Sequence, residues 1–266
     1  MRPIKVPPSI NKYLQDNLSQ VSICSHAQAG YKKLLRGHPE VSIVIPAYNE
    51  EKSIATTLAS LCQNKTDRSV EIIVVDNNST DNTKYLINSC GVNCVHQPQQ
   101  GITFARNMGL SHAKGKYILN ADADTIYPED WIESMVKPLD DEKNAMTYGG
   151  FSFIPTGSTG RITYFFYEYA ADFTRWINRN FKEEAVNVYG FNSAFKKEDG
   201  VAVDGFIHPE NTNEDGWLAL KLRNGNFGKL YYVKEVKALV WTTDRRIQID
   251  GGLLKALLKR IKRVLS

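Results

Sequence analysis

The stretch EIIVVDNNSTDNTKYLI, residues 71–87, decides the architecture. Glu71-Ile72-Ile73-Val74-Val75 is a short, nearly continuous apolar run without the alternation of a half-exposed strand, so it reads as a strand covered on both faces. Asp76 ends it. Asn77-Asn78-Ser79-Thr80-Asp81 is turn material, with Ser79 or Thr80 placed to cap a helix that takes in Lys84-Tyr85-Leu86-Ile87. Buried strand, polar loop, helix: this is the unit from which parallel sheets are built.

The unit repeats on both sides. Upstream, Val41-Ser42-Ile43-Val44-Ile45-Pro46 is another buried strand, ended by Pro46 and Asn49. Glu50 and Glu51 then open a segment in which Ile54, Leu58 and Leu61 fall on one helical face, and acids in a first turn suit the positive end of a helix. Downstream, Cys94-Val95-His96 is a short third strand. A helix from Gly101 to His112 follows, and Lys116–Leu119 is a fourth strand that runs out at Asp122 and Asp124. Strands alternating with helices predict an α/β fold, with a Rossmann-like, mostly parallel central sheet flanked by helices. Ligands of such sheets bind outside the carboxyl ends of the strands. Pro46–Glu50, Asp76–Asp81 and Asp122–Asp124 therefore share one rim.

The composition changes from about Gly149. Tyr164-Phe165-Phe166-Tyr167 and neighbouring aromatics run to Trp176 at helical spacing, which predicts a core helix; stacking on sugar faces is the other use of such a stripe. After Asn187–Phe195 comes the acidic stretch Asn211–Asp215. A helix over Trp217–Leu222 ends at Asn224-Gly225, and strands are expected over Gly228–Val233 and Val236–Trp241. With no internal repeat or low-complexity tract, residues 41–248 form one domain with a first half (41–125) and a second (126–248). Residues 1–40 are expected as an N-terminal extension with a helix near Asn11–Leu18, and 249–266 as a basic amphipathic tail.

The chain of 266 residues is 42% hydrophobic and 23% charged, ordinary for a globular protein with a sizeable core. A net charge of +4 is too small to imply a nucleic-acid partner. Cys24, Cys62, Cys90 and Cys94 form no CxxC pair and suit packing in a reducing compartment. MRPIKVPPSI has no apolar signal-peptide core, and no apolar run of membrane-spanning length exists, so a cytoplasmic protein is expected.

Two carboxylates one residue apart on a turn can hold a hard divalent cation through oxygen, leaving positions open for water and phosphate. Aspartates are also common turn residues, and Asp76 could equally cap the helix after it. The order of the segments separates these readings. IVIPAYNE (43–50), IIVVDNNSTDNT (72–83), GITFARNMGL (101–110), YILNADAD (117–124) and NEDGWLALKLRNG (213–225) together resemble the family 2 glycosyltransferases of the GT-A fold, over roughly residues 41–245.

The resemblance implies an inverting transferase that moves a sugar from a UDP- or GDP-sugar to an acceptor hydroxyl, with Mn²⁺ or Mg²⁺ as cofactor. Pro46, Tyr48 and Glu50 would line the nucleoside pocket, Asp76 would accept a hydrogen bond from the base, and Arg106 would face the phosphates. Asp122 would approach the ribose and Asp124 the metal. Asp215 would be the general base, while Glu214, Asn192 and His208 would lie on the acceptor side and Arg223 would position its neighbours. The chain departs from relatives that supply a late histidine to the metal, since none follows Asp215. Glu214 and Asp215 could also act only as first-turn acids of the helix. A sugar-phosphate nucleotidyltransferase would need a Gly-rich phosphate loop after the first strand, which PAYNEE does not offer; a nucleotide-sugar-binding protein without catalysis is the other rival. The expected acceptor is a glycan or lipid-linked molecule of an envelope pathway. In the tail, Leu254, Leu257, Leu258, Ile261 and Leu265 share one face among Lys255, Lys259, Arg260, Lys262 and Arg263, a pattern suited to peripheral contact through 253–266 with the cytoplasmic face of an anionic membrane.

Overall fold

The computed structural model describes residues 2–15, 19–157, 159–249, 251–253 and 255. Helices α1 (Pro8–Asn11) and α2 (Gln20–Leu34) come before strand β1 (Val41–Ala47). Helices and strands then alternate through α3 (Ile54–Leu61), β2 (Val70–Asp76), α4 (Thr83–Ser89), β3 (Asn93–His96), α5 (Ile102–His112) and β4 (Tyr117–Asn120). Next are β5 (Thr125–Ile126), α6 (Trp131–Val136), β6 (Asn144–Gly149), β7 (Phe151–Ile154) and the long α7 (Arg161–Phe181). The remainder comprises β8 (Ser193–Lys196), α8 (Lys197–Ala202), α9 (Glu214–Asn224), β9 (Lys229–Val233), β10 (Val240–Thr243) and α10 (Arg245–Ile249).

Seven strands form the central sheet in the order β3-β2-β1-β4-β8-β6-β9. The first four are parallel, β8 runs against β4 and β6, and β9 is parallel to β6. The continuous apolar runs are explained by burial on both faces. Val41, Ile43 and Ile45 enter one core layer with Ile72, Val74 and Leu119, whereas Val44 enters the other with Ile73, Val75 and Ile118. Helices α3 and α4 cover the first face and α5 and α9 the second. Gly109 lets α5 lie close on β1, since a Cβ there would come within 2.2 Å of Val44 Cγ1.

Several segments differ from the sequence expectation. The first 40 residues are not an appendage: α2 buries Cys24, Ala27, Tyr31 and Leu34 in the main core, and the nearly buried Arg2 donates from Nη2 to Asp172 Oδ1 at 2.9 Å. The expected helix near Asn11–Leu18 is replaced by the flanking α1 and α2, with residues 16–18 outside the described set. Strands β6 and β7 were not anticipated, and Val236–Ala238 is a 3-10 turn rather than the start of a strand. Strand β10 joins a second sheet, β5-β10-β7, that sets the start of α10 beside the Asp122–Asp124 turn. The tail helix expected over 253–266 lies outside the described residues, save for Leu253 and Lys255.

Helix α7 is the largest departure. Tyr164 and Ala171 are buried, but Phe166, Tyr169, Phe173 and Trp176 are exposed rather than core. The inward face is instead held by charge. Glu168 pairs with Arg161 at 2.9 Å and accepts from Phe153 N at 2.7 Å, and Arg175 pairs with Asp172.

Candidate active site

Strand β1 has β2 on one side and β4 on the other, so the carboxyl ends of β1 and β4 mark the switch point where a ligand crevice opens. A cleft of about 1740 Å³ lies there. That exceeds the several hundred Å³ of a pocket for one drug-sized ligand, so the cleft has room for two substrates side by side. Among the residues expected from sequence, Pro46, Tyr48, Glu50, Asp122 and Asp124 line it. Asp76, Arg106, Asn192, His208, Glu214 and Asp215 are not in its lining.

The loops after β1 and β2 are laced together. Asn49, at φ 54°, receives at Oδ1 a hydrogen bond from Thr80 N at 2.8 Å, while its own N–H donates to Ser79 Oγ at 3.0 Å. Glu50 N donates to Thr83 Oγ1 at 2.7 Å. Ser79 thus serves the neighbouring loop instead of capping α4, whose N-cap is Asn82. Asp76 is buried at the end of β2, where Oδ1 accepts from Ser79 N at 3.2 Å. Its neighbour Asn77 reaches the cleft and pins the approach to α5, accepting from Gly101 N at 2.8 Å. The Asp122–Asp124 turn is held from two directions: Asp122 N donates to Tyr127 Oη at 2.9 Å, and Thr57 Oγ1 donates to Ala123 O at 2.9 Å.

Beneath this rim lies one cation among three acids. Arg106 is 2% exposed and donates from Nη2 to Asp122 Oδ1 at 3.0 Å. Its Nε lies 3.4 Å from Asp215 Oδ1 and 3.8 Å from Glu214 Oε1. Arg106 Nε and Nη1 and Asp215 Oδ1 are buried without a protein hydrogen-bond partner, which leaves polar capacity open beside the cleft. Burial pushes the Asp215 carboxyl up to about 7; Arg106 opposes this, but Glu214 and Asp122 add negative charge. One guanidinium shared by three carboxylates offsets only part of their repulsion, which favours the protonated form of Asp215. Arg106 itself stays charged, because the same acids outweigh its desolvation. Gly190 is needed for this contact, since a Cβ there would fall 2.1 Å from Arg106 Nη2 and 2.3 Å from Asp215 Oδ2.

Position 215 sits in the first turn of α9, whose N-cap Asn213 accepts from Gly216 N at 2.6 Å. Asn213 and Gly216 line the cleft, so Asp215 lies just behind the wall they form.

At the rim itself the sequence reading missed a residue. Arg245, at the start of α10, grips Glu50 with two bonds, Nη2 to Oε1 at 2.6 Å and Nη1 to Oε2 at 3.1 Å, and reaches Asp124 Oδ2 at 3.0 Å. Its neighbour Asp244 fixes the start of the helix by accepting from Tyr164 Oη at 2.6 Å and Thr156 N at 3.0 Å. No local pattern marks Arg245, because its partners lie 195 and 121 positions away.

Two expectations need correcting. Asn192 does not face an acceptor: it is fully buried, its Oδ1 accepts from Trp131 Nε1 at 2.8 Å, and its Nδ2 donates to Gly150 O and Ala238 O. Its amide is used as an internal brace. Arg106 is not among the residues that line the cleft either: it is buried, with Asp215, Asp122 and Glu214 as its nearest acids. His208 is a loop residue tied to Thr103 Oγ1 at 3.0 Å, and Arg223 pairs with Glu183 at 2.8 Å, a positioning contact.

Among the described residues no group of three or more His, Cys, Asp or Glu side chains clusters as a metal cage. The donor set nevertheless suits a hard cation. Asp124 and Glu50 are carboxylates at the cleft wall, and a protein cation, the half-exposed Arg245, bridges them. Mg²⁺ and Mn²⁺ sites that share phosphate and water need only one or two carboxylates, and Asp124 fits that role better than Asp122, which faces buried Arg106.

Comparison with known proteins agrees with this geometry. Residues 42–200 match the family profile described as glycosyl transferase family 2. Chondroitin synthase of Escherichia coli is 33% identical over 141 residues, 48% of this chain and 21% of that protein. Glycosyltransferase GlyG of Streptococcus pneumoniae is 33% identical over 117 residues, 42% of this chain and 38% of that protein. The matched part thus spans well under half of these relatives' length. Among solved structures, a mannosyltransferase from Pyrobaculum calidifontis in complex with GDP-Man and Mn²⁺ superposes with a TM-score of 0.58 at 19% identity, covering 92% of this chain and 76% of that one. Glucosyl-3-phosphoglycerate synthase from Mycobacterium tuberculosis, with Mn²⁺, UDP-glucose and phosphoglyceric acid, gives 0.54 at 19% identity, covering 92% and 85%. At these identities the structures establish the shared GT-A fold.

Proposed function

The chain belongs to glycosyl transferase family 2, and we propose that it transfers a sugar from a nucleotide-diphosphate donor to an acceptor hydroxyl, with inversion at the anomeric carbon. The observation that carries this reading is the meeting at one switch-point cleft of Asp122, Asp124, Glu50 and Arg245, with Asp215 and Arg106 directly behind its wall. The nucleotide-sugar complexes of the structural neighbours support a UDP- or GDP-linked donor.

In this reading Pro46 and Tyr48 receive the nucleoside, with the buried Asp76 behind them, and Asp122 the ribose. Asp124 holds Mn²⁺ or Mg²⁺, which when bound supplies positive charge to the leaving diphosphate. Arg245 turns from Asp124 and Glu50 toward the same anionic oxygens, where a planar guanidinium suits two of them at once. Asp215 takes the proton of the attacking hydroxyl; its raised pKa fits a base working near neutral pH. Arg106 is a positioning residue that orients Asp122 and Asp215 and limits how far the base rises. The acceptor is a glycan or a lipid-linked molecule of envelope synthesis, taken into the second half of the cleft.

The test is transfer from a panel of UDP- and GDP-sugars, with Mn²⁺ or with excess chelator. Turnover of one donor that depends on the added ion is expected. Full turnover in chelator would remove the metal from the scheme, and sugar-phosphate nucleotidyl transfer instead of glycosyl transfer would overturn it.

A further inference from the structure

Besides the Arg106 bridge, a single hydroxyl ties the Asp122–Asp124 turn to the backbone beside Asp215. Tyr127 is 1% exposed and is not part of the cleft wall. Its Oη uses both hydrogen-bonding capacities of a phenol, accepting from Asp122 N at 2.9 Å and donating to Phe191 O at 3.1 Å. A phenylalanine would fill the same space and make neither bond.

The receiving end is a tight turn over residues 189–192, closed by Asn192 N on Tyr189 O at 3.0 Å. Gly190, inside this turn, lies against the buried carboxyl: a Cβ there would fall 2.3 Å from Asp215 Oδ2. The Gly190 N–H favours the ionised form of Asp215. Trp131 braces the same turn, with its ring 4.3 Å from that of Tyr127 and its Nε1 donating to Asn192 Oδ1 at 2.8 Å. Helix α3 holds the other end, where Ser60 Oγ accepts from Tyr127 N at 3.1 Å. The segment from Tyr127 to Trp131 therefore grips two turns at once. One carries Asp122 and Asp124, and the other sits against Asp215.

We propose that Tyr127 is a positioning residue, which sets the place of Asp215 relative to the Asp122–Asp124 turn through Phe191 O and Gly190. Arg106 joins the same two regions through side chains, whereas the Tyr127 hydroxyl fixes main chain at both of its ends. The effect on transfer rests on the reading of Asp215 as the base. The coupling itself does not, and it is measured without turnover.

The test is a double-mutant cycle in unfolding temperature, with Tyr127→Phe and Asp215→Asn alone and together, at pH 8 and at pH 5. At pH 8 the Asp215 carboxylate gains from the Gly190 N–H. Tyr127→Phe should then cost about 2 °C more in the wild-type background than in the Asp215→Asn background. At pH 5 the carboxyl is protonated, and the two costs should agree. Thr57→Val removes the Thr57 Oγ1 bond to Ala123 O in the Asp122–Asp124 turn, and should cost the same in both backgrounds at either pH. In transfer assays Tyr127→Phe should lower kcat by about tenfold to a hundredfold and move its rise with pH upward, with the donor KM little changed. Equal costs in both backgrounds at pH 8 would overturn the proposal and leave the hydroxyl a brace of the fold. So would a loss of activity that lies wholly in the donor KM, which would assign Tyr127 to donor binding. A wild type that transfers no sugar yet shows the coupling at pH 8 would remove the transferase reading and uphold the link between the two turns.

Discussion

A carboxylate that sits among two other acids and one guanidinium has its protonation decided by their balance. Asp215 is raised to about 7 first by burial, and then by Glu214 and Asp122, with Arg106 pulling the other way. Two consequences have opposite signs. As a base Asp215 must be ionised, so transfer should rise with pH through about 7. As a buried group its folded pKa lies above the unfolded value of about 3.9, so the native state holds an extra proton between those values and loses stability as pH rises across that window. Asp215→Asn mimics the neutral form. Transfer should fall by roughly 10²–10⁴-fold with donor binding retained. Its unfolding temperature should match the wild type near pH 4 and exceed it above pH 7. A variant less stable at pH 8 than the wild type would mean that Arg106 needs this charge more than burial opposes it. The aspartates were legible as residues because each ends a strand or opens a helix. What they touch was not, because Arg106 and Arg245 owe their roles to partners distant in sequence.

Elements were readable where one local force dominates. Runs such as IIVV leave no choice but burial on both faces, and β1, β2 and β4 formed where expected. Strands β6 and β7 escaped because NAMTYGGFSFI mixes polar and apolar residues, and pairing with β8, β9 and β10 settles their state. Helix α7 was legible as a helix but not in its orientation, since the sequence cannot say that its charges have buried partners such as Arg2. Close packing of elements gives a sharper test. A methyl on Gly109 would overlap Val44 Cγ1 at 2.2 Å, so α5 must shift from β1. Gly→Ala within a helix normally gains up to about 1 kcal/mol in propensity. Here overpacking should outweigh it, and Gly109→Ala should lose about 1–3 kcal/mol in urea unfolding. A stabilised variant would show that α5 has room to move.

At the scale of the molecule, the cleft joins pieces that the chain keeps far apart. The rim of the first half carries Glu50 and Asp124, and the second sheet brings Arg245 across to them. This closure was not legible in the sequence, because β10 pairs with β5 and β7 rather than with the central sheet. Under the proposed reading, donor binding replaces this ion-pair bridge, and the exchange is readable as stability. A donor at about a hundred times its dissociation constant stabilises the native state by about 2.7 kcal/mol, near 5 °C in unfolding temperature for a chain of this size. With Mn²⁺ present, the wild type should show that shift with its own nucleotide sugar. Asp124→Ala should keep the smaller shift given by the nucleoside and lose the part that depends on the ion. Arg245→Gln frees Asp124 from its protein cation, so Mn²⁺ alone should stabilise this variant more than it does the wild type, while the donor shift shrinks because the diphosphate has lost its guanidinium. If Mn²⁺ acts equally on both proteins, Asp124 is not where the ion binds, and the bridge between the two halves of the cleft is structural.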